Sequence, residues 1–87
     1  MANESWINEL DQSYGPETVQ NPFTGATVEL GQPALAIYDF IKGSEMVASI
    51  QDRQLGEVGG SEYWRDVRRG LDWFRANLPN AYYILLD

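Results

Sequence analysis

Residues 61–78 show the clearest alternation of apolar and polar positions in the chain. Large apolar side chains follow one another at spacings of three and four residues, which places them on one stripe of a helix. The stripe consists of Trp64, Val67, Leu71, Phe74 and Leu78. Ser61 can cap the first turn, and Glu62 suits the positive end of the helix dipole. The pattern predicts a helix over residues 61–78 whose stripe faces a core or a partner helix, and Leu78-Pro79 either ends this helix or breaks it.

Residues 33–50 carry a second helical pattern, and Pro33 suits its first turn. Its apolar positions form one stripe (Ala34, Ile37, Ile41 and Ala48) that is widened by Ala36, Phe40, Val47 and Ile50. Two interpretations of Gly43-Ser44 stay open. Either Gly43 lies inside one helix where another element comes close, or Ser44 caps a second short helix. Three glycines after position 55 indicate that residues 51–60 form a flexible loop.

Residues 17–30 have the pattern of a β-hairpin. Thr18–Gln20 and Ala26–Leu30 contain β-branched residues in partial alternation, as in short strands. The segment Asn21–Gly25 between them has asparagine, proline and glycine where a turn favours them. Because an isolated hairpin is only marginally stable, we expect it to pack on the helices.

The two ends of the chain are less clearly patterned. Residues 1–16 form an N-terminal arm in which one or two helical turns, capped by Asn3 or Ser5, can form if Trp6 docks. Residues 81–86 are an apolar tail that suits either a strand joining the hairpin or a final buried helical turn. We therefore predict an α+β fold: residues 17–87 form a single globular domain with a β-hairpin packed on two or three helices, helix predominating.

The composition argues against an enzyme. The chain has 87 residues with no histidine and no cysteine, yet it contains three tryptophans, five tyrosines and three phenylalanines. Conventional zinc sites and nucleophiles activated by histidine are therefore excluded, and no phosphate-binding or EF-hand motif is present. Glu62 and Asp66 share a helix face, but Arg65 and Arg69 flank them, which favours ion pairs over acid–base catalysis. We expect no catalytic residue, no metal and no cofactor.

The charge is strongly uneven along the chain. The net charge is −7, and all of it lies in residues 1–52, where eight acidic residues stand against Lys42 alone. This acidity disfavours direct binding to nucleic acid. The simplest interpretation of the acidic residues is that they form a solvated surface. The same residues are also compatible with a protein that mimics DNA and blocks a nucleic-acid enzyme. No apolar run approaches the length of a membrane span, so we expect no membrane partner.

Aromatic and arginine residues on the 61–78 helix are the candidate contacts for a protein partner, because these residue types dominate binding hot spots. The candidates are Tyr63, Arg65, Arg69 and Trp73. An alternative keeps the arginines as a solvated face paired with Asp66 and Asp72. For Trp73 the alternative is that it covers the hairpin. The contact hypothesis predicts that Trp73→Ala abolishes partner binding and leaves the fold intact.

Several segments of residues 21–87 resemble small uncharacterised proteins of tailed bacteriophages. The segments that carry the resemblance are Asn21–Leu30, Ala36–Gly43, Leu71–Arg75 and Ala81–Asp87. The resemblance implies a phage origin and a location in the bacterial cytoplasm or in the virion. It implies no activity, since none is established for the family, and it transfers no functional residue.

Together these observations favour a small non-enzymatic protein-interaction module, such as a phage accessory protein that binds and modulates a host protein. The alternatives are the acidic DNA mimic and a structural virion or self-assembling component. In the last case the Trp64–Leu78 stripe would face a second copy of itself, so a homo-oligomer stays open.

Overall fold

The computed structural model of the protein describes residues 5–56 and 58–87, in which a short 3-10 helix and a β-hairpin precede three α-helices. The 3-10 helix is Ser5–Glu9, and the strands are β1, Glu17–Gln20, and β2, Thr27–Leu30. The α-helices are α1, Ala34–Leu55, α2, Tyr63–Asn77, and α3, Pro79–Leu85. The predicted α+β fold with helix predominating is confirmed.

The hairpin forms where the turn residues predict it. β1 and β2 are antiparallel, with Glu17 opposite Leu30 and Gln20 opposite Thr27. The Asn21 side chain organises the turn, because its Oδ1 accepts the N–H of Phe23 at 2.8 Å. Its Nδ2 donates to the Ile84 carbonyl at 2.9 Å. Asn21 therefore shapes the turn and ties it to α3.

The C-terminal tail is a helix rather than a strand. Pro79 stands in the first turn of α3, where its missing N–H costs nothing. Ala81 and Leu85, four residues apart, are buried on one side of this helix. The open alternative for residues 81–86 is thus resolved in favour of a final helical turn that packs against β2 and α2.

Helix α1 is longer and more regular than the sequence suggests. It runs without interruption through Gly43-Ser44, so the proposal of a second helix capped by Ser44 is wrong. No neighbour lies within 4 Å of a Cβ built on Gly43, so the close approach expected there is also absent. Residues 51–55 belong to α1, and the helix ends at Gly56 with a φ of 70°. The segment between α1 and α2 is therefore shorter than the predicted loop of residues 51–60, and Glu57 lies outside the described residues.

The close approach occurs instead at Gly70 of α2. A Cβ built on Gly70 would stand 2.2 Å from Cγ1 of Ile41 on α1. The missing side chain lets α2 approach Ile41 and Ile37 of α1, and both are fully buried. Phe74 on α2 and Leu35 on α1 are the other largest fully buried side chains. The α2 stripe packs on α1 in this way, except for Leu78, which is 37% exposed.

The N-terminal arm packs on the same two helices. Ile7 is buried, and the Trp6 ring lies 5.4 Å from the Phe40 ring. Farther along, the Tyr14 hydroxyl donates to Asp39 Oδ2 at 2.5 Å. The expected cap Asn3 lies outside the described residues.

Candidate protein-binding surface

The structure divides the candidate contact residues between two shallow depressions along α2. Tyr63, Arg65 and Arg69 line the first, at the start of the helix, together with Glu62 and Asp66. We call these five residues the Tyr63 depression; its volume is about 230 Å³. Trp73 lines the second, together with Ser5, Ile7, Asn8, Pro33 and Asn77. Three of the four candidates thus share one surface, and Trp73 lies apart from them.

Arg69 is held by neighbours on both sides. Its Nη1 lies 4.0 Å from Asp66 Oδ1, and its guanidinium lies 5.4 Å from the centre of the Trp6 ring. A cation over an aromatic face is attracted by the ring quadrupole. Arg69 therefore joins the N-terminal arm to the Tyr63 depression, and its side chain is already oriented.

Arg65 and Arg68 differ from the other arginines of α2. Both are exposed, and neither forms an ion pair with any of the described residues. Arg75, in contrast, pairs with Asp72 and lies over the Tyr82 ring. Asp66 and Asp72 thus pair with Arg69 and Arg75, as the alternative interpretation of the arginines expects. The guanidinium groups of Arg65 and Arg68 stay available for other ligands.

The start of α2 is positioned by Asp52 near the end of α1. Its carboxylate accepts hydrogen bonds from Trp64 Nε1 at 2.8 Å and from the N–H groups of Gly59 at 2.6 Å and Ser61 at 2.8 Å. Partial burial raises the pKa of Asp52, but these hydrogen bonds outweigh that effect and hold the pKa below its ordinary value. Asp52 therefore fixes both the loop before α2 and the Trp64 side chain.

Ser61 completes this arrangement. Its Oγ accepts the N–H of Tyr63 at 3.2 Å, although Glu62 is the residue immediately before the helix. The Ser61 hydroxyl in turn donates to Gln51 Oε1 at 2.6 Å. Ser61 is recognisable in the sequence as a helix cap, whereas the role of Asp52 is not, because only folding brings residues 52, 61 and 64 together.

A further surface was also missed, on the outer side of α1. In the sequence, Val47 and Ile50 widen the apolar stripe of α1, but in the structure they are 38% and 42% exposed and lie outside the core. Met46 beside them is 65% exposed. These side chains are exposed because the buried Ala48 marks the side of α1 that faces the core. Ile50 lies about 160° around the helix from Ala48 and so points away from the core. We call Met46, Val47 and Ile50 the α1 outer face.

Comparisons with known proteins return no relative. No family model, no curated protein and no solved structure matches the chain. Within residues 5–56 and 58–87, no helix is both long and apolar enough to cross a membrane. In the same part of the chain, no group of three acidic side chains is arranged to hold a metal ion.

Proposed function

We propose that this protein is a small non-enzymatic interaction module that binds another protein through the Tyr63 depression. The observation that carries the proposal is the state of Arg65. Its guanidinium is exposed, lies beside the half-buried Tyr63, and forms no ion pair within the described chain. Arginine and tyrosine are enriched among residues that dominate binding energy. An unpaired guanidinium offers two parallel donors to a carboxylate.

The partner that suits this surface is a protein segment with a carboxylate and an apolar side chain. The carboxylate would contact Arg65, and the apolar side chain would lie on the Tyr63 ring. Arg69 is oriented by Asp66 and Trp6, so it loses little conformational freedom on binding. Glu62 and Asp66 balance the charges of Arg65 and Arg69 in the depression, which favours a segment of mixed charge over a multiply charged phosphate.

A narrower proposal concerns the origin of the partner. The resemblance of residues 21–87 to small proteins of tailed bacteriophages supports a bacterial host protein as the partner. It also supports a place of action in the bacterial cytoplasm or in the virion. The chain would then be a phage accessory protein that modulates the host protein to which it binds.

An affinity pull-down of the tagged full chain from bacterial lysate, read by mass spectrometry, tests this function. The expected result is one stoichiometric partner that duplex DNA does not displace. A nucleic-acid enzyme that is displaced by DNA, and that is lost from a Glu17→Gln/Glu29→Gln variant, would support the DNA mimic instead. Recovery of the bait alone would contradict the interaction-module proposal.

A further inference from the structure

The α1 outer face is an apolar surface that the described chain does not cover. Met46, Val47 and Ile50 recur at helical spacing on the side of α1 away from buried Ala48. Gly43, one turn earlier, continues the face, and the space around its Cβ position is open. Two turns of a long helix thus present neighbouring apolar side chains to solvent.

Two residues of opposite charge lie on α1 at equal distances on either side of Met46. Asp39 lies seven residues before it and Arg53 seven residues after it, and both are exposed. Residues seven apart differ by only about 20° around a helix, so the three side chains follow one line. The acidic group stands at one end of the line and the basic group at the other.

We infer that the α1 outer face binds the same face of a second copy, with the two α1 helices antiparallel and the two-fold axis near Met46. A two-fold interface brings the same patch of both copies together. Asp39 of each copy then meets Arg53 of the other, which makes two equivalent ion pairs. A parallel pair would instead bring like charges together at both ends, so the charges select the antiparallel arrangement.

Both charged groups are available for this contact. Arg53 forms no ion pair with the described residues. Asp39 accepts the Tyr14 hydroxyl with Oδ2, and its Oδ1 accepts no hydrogen bond from the described part of the chain. The second oxygen can therefore take a guanidinium donor without loss of the Tyr14 contact.

The size and charge of the protein indicate a weak dimer. Helix α1 has 22 residues and is thus about 33 Å long. One helix pair falls short of the roughly 800 Å² per partner of a standard interface. The net charge of −7 on each copy also opposes association. The dimer should therefore be weak, so that the monomer predominates at low protein concentration.

Sedimentation velocity on the full chain, over protein concentrations up to the millimolar range, tests the inference. The wild type should shift from monomer to dimer, and Met46→Lys should stay monomeric. Leu55→Lys is the matched control, because Leu55 is 63% exposed on the same helix but lies about 180° around it from Met46. This control should dimerise as the wild type does. Circular dichroism checks that each variant is folded.

A charge-reversal cycle tests the antiparallel arrangement. Arg53→Glu should weaken the dimer, and the double variant Arg53→Glu/Asp39→Lys should restore it. A wild type that stays monomeric at all concentrations, or a Met46→Lys variant that dimerises normally, would overturn the inference. Equal loss in Leu55→Lys would overturn it too, because it would place the interface elsewhere. A partner found at the Tyr63 depression would leave this test unaffected, since the two surfaces lie on different helices.

Discussion

Gly70 and Ile41 are in such close contact that the two long helices can meet only because position 70 has no side chain. A Cβ on Gly70 would stand 2.2 Å from Ile41 Cγ1 and 2.8 Å from Ile41 Cδ1. Ile41 is fully buried, and because protein interiors are close-packed its side chain can yield only if its neighbours shift. The contact between α1 and α2, and with it the position of the Tyr63 depression, depends on this glycine.

Two glycine substitutions test this relationship. Gly70→Ala should lower the free energy of unfolding by about 1–3 kcal/mol, since overpacking forces a shift in the core. Gly43→Ala is the control on the other helix, where the space is open, and it should raise the free energy of unfolding by about 0.4–1 kcal/mol. Urea unfolding at low protein concentration measures both. Equal effects of the two substitutions would contradict the close approach.

Asp52 should make the stability of the protein sensitive to acid. Its folded-state pKa is lowered, so its hydrogen bonds stabilise the fold fully above the unfolded-state pKa of about 3.9. That stabilisation is lost as the pH falls through the lower folded-state pKa. Asp52→Asn should therefore lower the melting temperature most at neutral pH and progressively less below pH about 4.

Thermal unfolding followed by tryptophan fluorescence measures this effect, because Trp64 donates to the Asp52 carboxylate. Glu29→Gln, at an exposed hairpin carboxylate, is the control and should leave the pH dependence close to that of the wild type. If wild type and Asp52→Asn differ equally at neutral and acid pH, the carboxylate has no role in positioning the start of α2.

Tyr14 should titrate at unusually high pH. The hydrogen bond to Asp39, with smaller contributions from burial and nearby acids, raises its pKa to about 12. Since the folded pKa is above the unfolded value of about 10, this stabilisation is complete below that value and is lost as the pH rises toward the folded pKa. Absorbance titration should show the late step in the wild type and lose it in both Tyr14→Phe and Asp39→Ala. A late step that persists in Tyr14→Phe would assign it to another tyrosine.

Trp73 tests whether the second depression also contacts the partner. Its ring packs edge-on against Phe74, at 5.2 Å between centroids, and is only partly buried. Trp73→Ala should therefore cost less stability than the roughly 3–5 kcal/mol of a fully buried aromatic residue. We expect the fold to remain intact by circular dichroism while partner binding is lost. Trp73→Phe, which keeps most of the ring packing, is the control for stability. Normal binding by folded Trp73→Ala would remove Trp73 from the contact residues.

The sequence predicts those elements that local chemistry determines. The hairpin turn follows from Asn21, Pro22 and Gly25, and helix α2 follows from its regular apolar stripe. The end of α1 was misplaced because glycines suggested a loop from residue 51, whereas Gly56 is the residue that ends the helix. The glycines thus correctly predict that α1 ends and a loop begins, but they place this boundary about five residues too early.

The remaining features depend on contacts between distant residues. The form of the tail is decided by packing and by the bond from Asn21 to Ile84, which no periodicity reveals. Val47 and Ile50 look like core residues in the sequence, and only the tertiary packing of α1, which meets α2 at Ile41, leaves them exposed. The division of the candidate contacts between two depressions likewise depends on where the N-terminal arm docks.

The most direct test of the proposed function compares partner recovery by two arginine variants of α2. Arg65 and Arg68 are both exposed and unpaired within the described chain, but only Arg65 lines the Tyr63 depression. With equal amounts of folded bait, Arg65→Ala should recover at least about tenfold less partner than the wild type, the loss expected of a hot-spot residue, and Arg68→Ala should recover nearly as much. Equal recovery by Arg65→Ala and the wild type would contradict binding at this surface.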